Sequence, residues 1–253
     1  MEDQTVFCWG QNNHGQLGMG FANGTEYSTP QPVIGLENVD SIVSSTFSSC
    51  ATINSASETY CWGLNNYGEL GLNSSTTVFA TPTKMVVDYA GSGTVKSLGG
   101  AILSFCGVNS TGGAHCVGLN DAGQLGDGTF DNKKTIVPVI GLGTGVKQIA
   151  SSQRYAMCAV MDNGEARCWG GFYDCCIGDG SASATSEIPV VVVGEKDHKQ
   201  IVLGFFNTCS IRGPYNEVWC WGSNEFGELG NGTTVGVAYV PQRVLYGEPS
   251  SRR

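Results

Sequence analysis

Cysteine is the residue type with the most chemistry to offer in this 253-residue chain, with eleven copies beside three histidines. Eight of them form four pairs, Cys50 with Cys61, Cys106 with Cys116, Cys158 with Cys168, and Cys209 with Cys220, whose members stand 10 or 11 residues apart. Each pair flanks turn-forming residues such as Asp162-Asn163-Gly164, so its two members can face one another across a hairpin, where directly opposed Cα atoms lie about 4.5 to 5.5 Å apart, within disulfide range. Bridged in an oxidising compartment, each pair would contribute roughly 2 to 4 kcal/mol. Reduced, the same residues are small buried hydrophobes. Metal binding is poorly supported, because there is no Cys-x-x-Cys and each repeated site would offer too few ligands. Cys8 and the vicinal Cys175 and Cys176 are left over, and an odd total leaves at least one thiol unpaired within the chain.

No other constellation suggests a reaction. His14, His115 and His198 do not recur with the cysteines and are expected on the surface, His198 within a polar run from Glu195 to Lys199. Gly141-Leu142-Gly143-Thr144-Gly145 has the outline of a phosphate loop, but neither Lys-Ser nor Lys-Thr follows it and no helix is expected there. Asp127, Asp179 and Asn231 each stand between glycines, a setting that suits an Asx turn better than calcium. Asp174 has no evident partner. The expectation is a protein that is not an enzyme and needs no cofactor.

The elements that must position the cysteines are repeated. The segment Cys8-Trp9-Gly10-Gln11-Asn12-Asn13-His14-Gly15-Gln16-Leu17-Gly18 returns from Cys61 to Gly71, from Cys116 to Gly126 and from Cys220 to Gly230, with a degenerate copy starting at Cys168-Trp169-Gly170. The copies begin at residues 8, 61, 116, 168 and 220, a period of about 52 residues. Upstream of each of the last four copies lies a short apolar strand carrying the partner cysteine, such as Met157-Cys158-Ala159-Val160-Met161, and further upstream two more extended segments, such as Pro138–Leu142 and Val146–Ile149. Four short strands per period is the content of a propeller blade, and no stretch carries a convincing helical period. Within the motif Trp9, Trp62, Trp169 and Trp221, with Gly10, Gly63, Gly118, Gly170 and Gly222, follow the cysteine, and Leu17, Leu70, Leu125 and Leu229 are the apolar plugs expected between blades. The expected fold is an all-β propeller of four-stranded blades, in one repeat domain over 1–253. Its units fall near 21–75, 76–130, 131–182 and 183–235, with partial ends at 1–20 and 236–253.

The pattern Cys-Trp-Gly-x-Asn-x-x-Gly-Gln-Leu-Gly resembles the repeat of the regulator of chromosome condensation family, and the likeness covers almost the whole chain. The resemblance implies a propeller, usually seven-bladed, in a family that includes a nuclear exchange factor for a Ran-type GTPase, bacterial inhibitors of β-lactamase and repeats within larger signalling proteins. Protein binding is what that range has in common. The chain departs from the pattern in two ways. Its ends, Val6–Trp9 and Val240–Leu245, would together make one blade lacking its middle hairpin, so it is read either as a small five-bladed ring or as a piece of a longer, seven-bladed one. Ser48, Ser104, Ala156 and Asn207 stand where the family places a histidine, so no role of that histidine transfers.

Composition narrows the partner. Glycine makes up 37 of the 253 residues, about twice the usual share, and charged residues are only 14%. The net charge of −9, with basic residues scattered, argues against nucleic acid. No apolar stretch approaches the length of a membrane span. Asn23, Asn73, Asn109 and Asn231 head glycosylation sequons on expected loops, which fits a secreted glycoprotein, whereas Met1–Thr5 is no signal peptide. An extracellular or secretory-pathway location is therefore expected if the true start lies upstream, and a cytoplasmic one with reduced cysteines if Met1 is genuine. The functional expectation is a module that binds another protein through blade loops, with Tyr67, Phe172, Tyr173, Phe226 and Tyr239 as aromatic contact candidates. The alternative, implied by the resemblance alone, is an exchange regulator of a Ran-like GTPase.

Overall fold

The computed structural model describes residues 5–53, 55, 58–85, 94–152, 154–171, 177–183, 185–234 and 236–246. Every regular element among them is a strand. A leading ribbon pairs β1 (Phe7–Gln11) with β2 (Glu26–Pro32). Blade 1 is formed by β3 (Val39–Ser44), β4 (Ser48–Ile53), β5 (Glu58–Leu64) and β6 (Val78–Lys84), and blade 2 by β7 (Val95–Ala101), β8 (Ser104–Asn109), β9 (Ala114–Gly118) and β10 (Lys133–Pro138). Blade 3 holds β11 (Val146–Ser151), β12 (Ala156–Met161), β13 (Ala166–Gly170) and β14 (Ser186–Val191), and blade 4 holds β15 (His198–Leu203), β16 (Asn207–Arg212), β17 (Glu217–Ser223) and β18 (Val237–Arg243). Each blade is an antiparallel meander, and the first strands β3, β7, β11 and β15 approach one another around a common axis.

The blades are offset by one strand from the sequence repeat. A repeat such as 21–75 contains β2 to β5, so each blade takes its outer strand from the repeat that follows it. The same offset governs the C-terminal segment, which does not meet the N-terminal motif strand: β18 pairs with β17, with Gln242 opposite Cys220, and completes blade 4.

One register recurs in all four blades. Cys50 lies opposite Cys61, Cys106 opposite Cys116, Cys158 opposite Cys168 and Cys209 opposite Cys220, each pair disulfide-bonded with Cα atoms 4.1 Å apart. Immediately after the second cysteine the pairing of the third strand with the outer strand slips, between Cys61 and Gly63 in blade 1 and between Cys220 and Gly222 in blade 4. The glycine of the motif carries this bulge, with φ of 106°, 111° and 108° at Gly63, Gly118 and Gly222, a region closed to residues with a Cβ.

Blade-to-blade packing follows from the bulge, which turns the tryptophan toward the preceding blade. Trp62 Nε1 donates to the carbonyl of Gln16 and Trp169 Nε1 to that of Gln124, both at 2.9 Å. The last motif glycine is the floor of this contact: a Cβ on Gly18 or Gly126 would lie 2.9 Å from the indole nitrogen, and on Gly178 2.6 Å from that of Trp221. Trp62, Trp169 and Trp221 are fully buried, as are Leu70, Leu125 and Leu229. Blade 2 has Val117 where the others have tryptophan, and Met85 and Phe105 fill the space against Leu70. In the leading ribbon Trp9 is 63% exposed.

Trp169→Ala should therefore lower the stability read from chemical unfolding by about 3 to 5 kcal/mol, the range for a fully buried large side chain. Trp9→Ala should leave it within about 0.5 kcal/mol, as for an exposed position.

Candidate functional site at the axial mouth and blade loops

The connections of this fold run in two sets. The loops leaving the third strand carry the rest of the repeated motif. In the leading ribbon and in blades 1, 2 and 4 an asparagine ties the motif loop to itself: the Oδ1 atoms of Asn12, Asn65, Asn120 and Asn224 accept the backbone N–H of Leu17, Leu70, Leu125 and Leu229. Their Nδ2 groups donate to the carbonyls of Phe21, Thr76, Thr129 and Thr233. The role of these asparagines was visible only as their recurrence at a fixed place. The Gln or Glu four residues on also folds back, so that Gln16, Glu69, Gln124 and Glu228 accept the N–H of the residue two before. Blade 2 covers Glu69 completely, and burial raises its carboxyl to about 7. Glu228, on the last blade, is exposed.

The second set joins first to second strands and converges on the axis. It brings together Ser45 and Thr46, Ile102, Arg154 and Tyr155, and Phe205, around a funnel of about 590 Å³ that also includes Ser44, Gly100 and Ala101. The blades are locked at this level. Ile102 N–H donates to the carbonyl of Arg154 at 2.9 Å, Ser151 Oγ to that of Gly100 at 2.9 Å, and the Gln148 carboxamide both donates to and accepts from the Ile201 backbone at 3.0 Å. The Arg154 guanidinium carbon lies 4.4 Å from the Phe205 ring centre and 5.0 Å from that of Phe206, and the two rings meet edge to face. Phe205 and Phe206 are 46% and 41% exposed. Sequence reading missed this cluster, although Phe47, Leu103, Tyr155 and Phe206 share one repeat position three residues before the cysteine.

Among the described residues the expected contacts Tyr67, Phe226 and Tyr239 lie on separate elements. Tyr67 and Phe226 occupy one motif position on different blades. Phe226 is 87% exposed and Tyr67 36%, and the loop of Tyr67 is packed at Gly68 by Lys134 of β10. Tyr239 sits on β18, where its carbonyl accepts the Gly180 N–H. Phe172 and Tyr173 lie outside the described residues, with Asp174, Cys175 and Cys176.

Two expectations need correction. His198 is not a surface residue: it opens β15 at the place where β3, β7 and β11 have Val39, Val95 and Val146, is 3% exposed, and packs against Trp221. Burial, with Arg212 beside it, lowers its imidazole to about 4. Asn109 is not an open sequon: it is 3% exposed, and its Oδ1 accepts the backbone N–H groups of Thr111 and Gly113 and the Thr111 hydroxyl. Asn73 is exposed, while Asn23 and Asn231 are half-buried. His14 and His115 are also half-buried. Asp127, Asp179 and Asn231 close turns by accepting the N–H two residues on, as an Asx turn requires. Among the described residues no three His, Cys, Asp or Glu side chains group so as to hold a metal ion, and no helix is long and apolar enough to cross a membrane. Cys8 is the free cysteine among them, and burial raises its thiol pKa.

Comparison with known proteins places these features in context. The model of the regulator of chromosome condensation (RCC1) repeat matches residues 3–51 and 215–252. The human E3 ubiquitin-protein ligase HERC2 is 31% identical over 242 residues, which is 90% of this chain and 5% of that protein. The ultraviolet-B receptor UVR8 of Arabidopsis thaliana is 29% identical over 91% of this chain and 51% of its own length. The chain thus spans at most about half of these relatives. Among solved structures, yeast RCC1 (Prp20) bound to Kap60 aligns with a TM-score of 0.83 at 19% identity, over 99% of this chain and 60% of that one. Human WBSCR16 aligns at 0.82 and 22% identity, over 96% and 63%. At these identities the structural likeness concerns the propeller fold.

Glu69 yields a pH prediction. Its carboxyl is raised from 4.5 to about 7 in the folded chain, so between those values the folded state holds the proton that the unfolded chain has lost. Its contribution is therefore full below about 4.5 and lost as pH rises through about 7. Glu69→Gln, the residue that Gln16 and Gln124 supply at this position, should raise the thermal midpoint at pH 8 and change it little at pH 4.5.

Proposed function

The chain belongs to the RCC1 repeat family, and from that premise we propose that it is a non-enzymatic protein-interaction module, presenting axial and rim loops on disulfide-crosslinked blades to another protein. The observation that carries this reading is the contrast between frame and loops. The strands are held by four cross-strand disulfides and by inter-blade hydrogen bonds, while Phe205, Phe206, Tyr215 and Phe226 stand exposed on their connections. Aromatic side chains offered by a rigid scaffold bind at low entropic cost, because little has to be ordered on association. The four disulfides support an oxidising, extracellular or secretory setting, in which Asn73 is the most accessible of the sequons and would carry the glycan.

The alternative, an exchange regulator of a Ran-like GTPase, has its support in the fold shared with yeast Prp20, a protein whose structure was described together with its binding to Gsp1p and histones. A fluorescent-GDP release assay on Ran-type GTPases separates the two. No acceleration over spontaneous release is expected, and saturable acceleration by the chain would replace the non-enzymatic reading with the exchange reading. Direct evidence of binding would come from Phe226→p-benzoylphenylalanine expressed in the native source. Irradiation should yield a discrete adduct with one polypeptide, and a chain that stays uncrosslinked here and at Phe206 would count against the interaction role.

A further inference from the structure

Among the described residues the axial funnel is lined by one charged side chain, Arg154, and by no acidic group. Arg154 makes no ion pair among the described residues, whereas Lys84, Lys133, Arg167, Lys196, Arg212 and Arg243 are each paired with a carboxylate. Of the four described arginines it alone has no carboxylate partner, and among the lysines Lys96, Lys134, Lys147 and Lys199 also have none. Its guanidinium rests on Phe205 and Phe206, and a guanidinium stacked on a ring keeps its N–H donors in its own plane, free for a planar anion. The remaining described walls are neutral: hydroxyls from Ser44, Ser45, Thr46 and Tyr155, and small or apolar groups from Gly100, Ala101 and Ile102.

We propose that the axial mouth binds an extended acidic peptide segment of a partner protein, its carboxylate paired with Arg154 and a neighbouring apolar side chain packed on Phe205 and Phe206. This rests on the protein-interaction reading and names the partner's chemistry. A carboxylate is the planar anion that a single arginine can take in two parallel hydrogen bonds. A polyanion such as nucleic acid would need clustered cations, and the funnel supplies one. The volume of about 590 Å³ suits a few side chains, not a folded domain. Because loops from all four blades form the wall, the mouth is held open by the same contacts that hold the blades together.

The test is selection of displayed heptapeptides on the disulfide-intact chain, followed by fluorescence anisotropy of the enriched peptides. Enriched sequences should carry Asp or Glu next to Phe, Leu or Ile. Arg154→Glu should weaken their binding by more than about tenfold, Arg154→Lys by less, and Phe205→Ala by about tenfold. Arg154→Lys, which keeps the charge, guards against a mere folding defect. Arg243→Glu, on the outer strand β18, should leave binding unchanged. A consensus without a carboxylate, or equal binding to Arg154→Glu, would overturn the axial site while leaving the interaction reading intact, because the peptides would then dock elsewhere. Failure to enrich any peptide would also overturn it, the broader reading being judged separately by the crosslinking at Phe226.

Discussion

Everything in this fold is referred to one register, the opposition of a cysteine on the second strand of a blade to a cysteine on the third. The covalent link is made at the narrow position of an antiparallel pair, where Cα atoms are closest, and it excludes a slip of one residue that would turn the inward side chains outward. The residues that follow it depend on that setting. Glycine in the bulge takes a positive φ, the tryptophan between cysteine and glycine swings toward the neighbouring blade, and the loop that follows is cinched by its asparagine. Because the blades share this register, the contacts between them are nearly identical, and a short sequence motif suffices to build an extended core.

The inter-blade contact shows how substitutions are absorbed. Where an indole covers the motif loop of the preceding blade, the last glycine of that loop has no room for a side chain. Where the indole is missing, at Val117, Met85 and Phe105 supply volume from elsewhere in the structure. Trp9 and Glu228 are the counterpart: both are exposed, where Trp62 and Glu69 at the same motif positions are buried against a neighbouring blade. The same carboxylate in the same local hydrogen bond thus meets two environments, and the covering blade, not the loop, raises the pKa of Glu69.

Much of the architecture was legible in the sequence because it is carried by residues close together in the chain. Cysteine spacing across a hairpin, Asn-Gly turns and a period near 52 residues all report local geometry. What escaped reading depends on which repeats lie side by side. The offset of blades from repeats could not be seen from the motif, because the outer strand pairs backward onto the strand that precedes the loop. His198 read as polar by its neighbours in sequence, whereas its register position is an apolar one shared with Val39, Val95 and Val146. Asn109 read as a loop sequon, yet its carboxamide is consumed in holding the hairpin. The axial cluster was hidden most completely, since Arg154 and Phe205 come from different blades about fifty residues apart and meet only when the blades are assembled around the axis.

The functional reading combines rigidity with exposed aromatic loops, and the rigidity rests on the cysteine pairs being oxidised in the protein's own setting. The most direct test is peptide mapping of chain isolated from its native source, with free thiols alkylated in denaturant and no reductant added. The account requires four linked pairs, Cys50 with Cys61, Cys106 with Cys116, Cys158 with Cys168 and Cys209 with Cys220, all protected from alkylation. Alkylated thiols at those eight positions in native protein would contradict it, leaving the register without its covalent lock and the oxidising location without support.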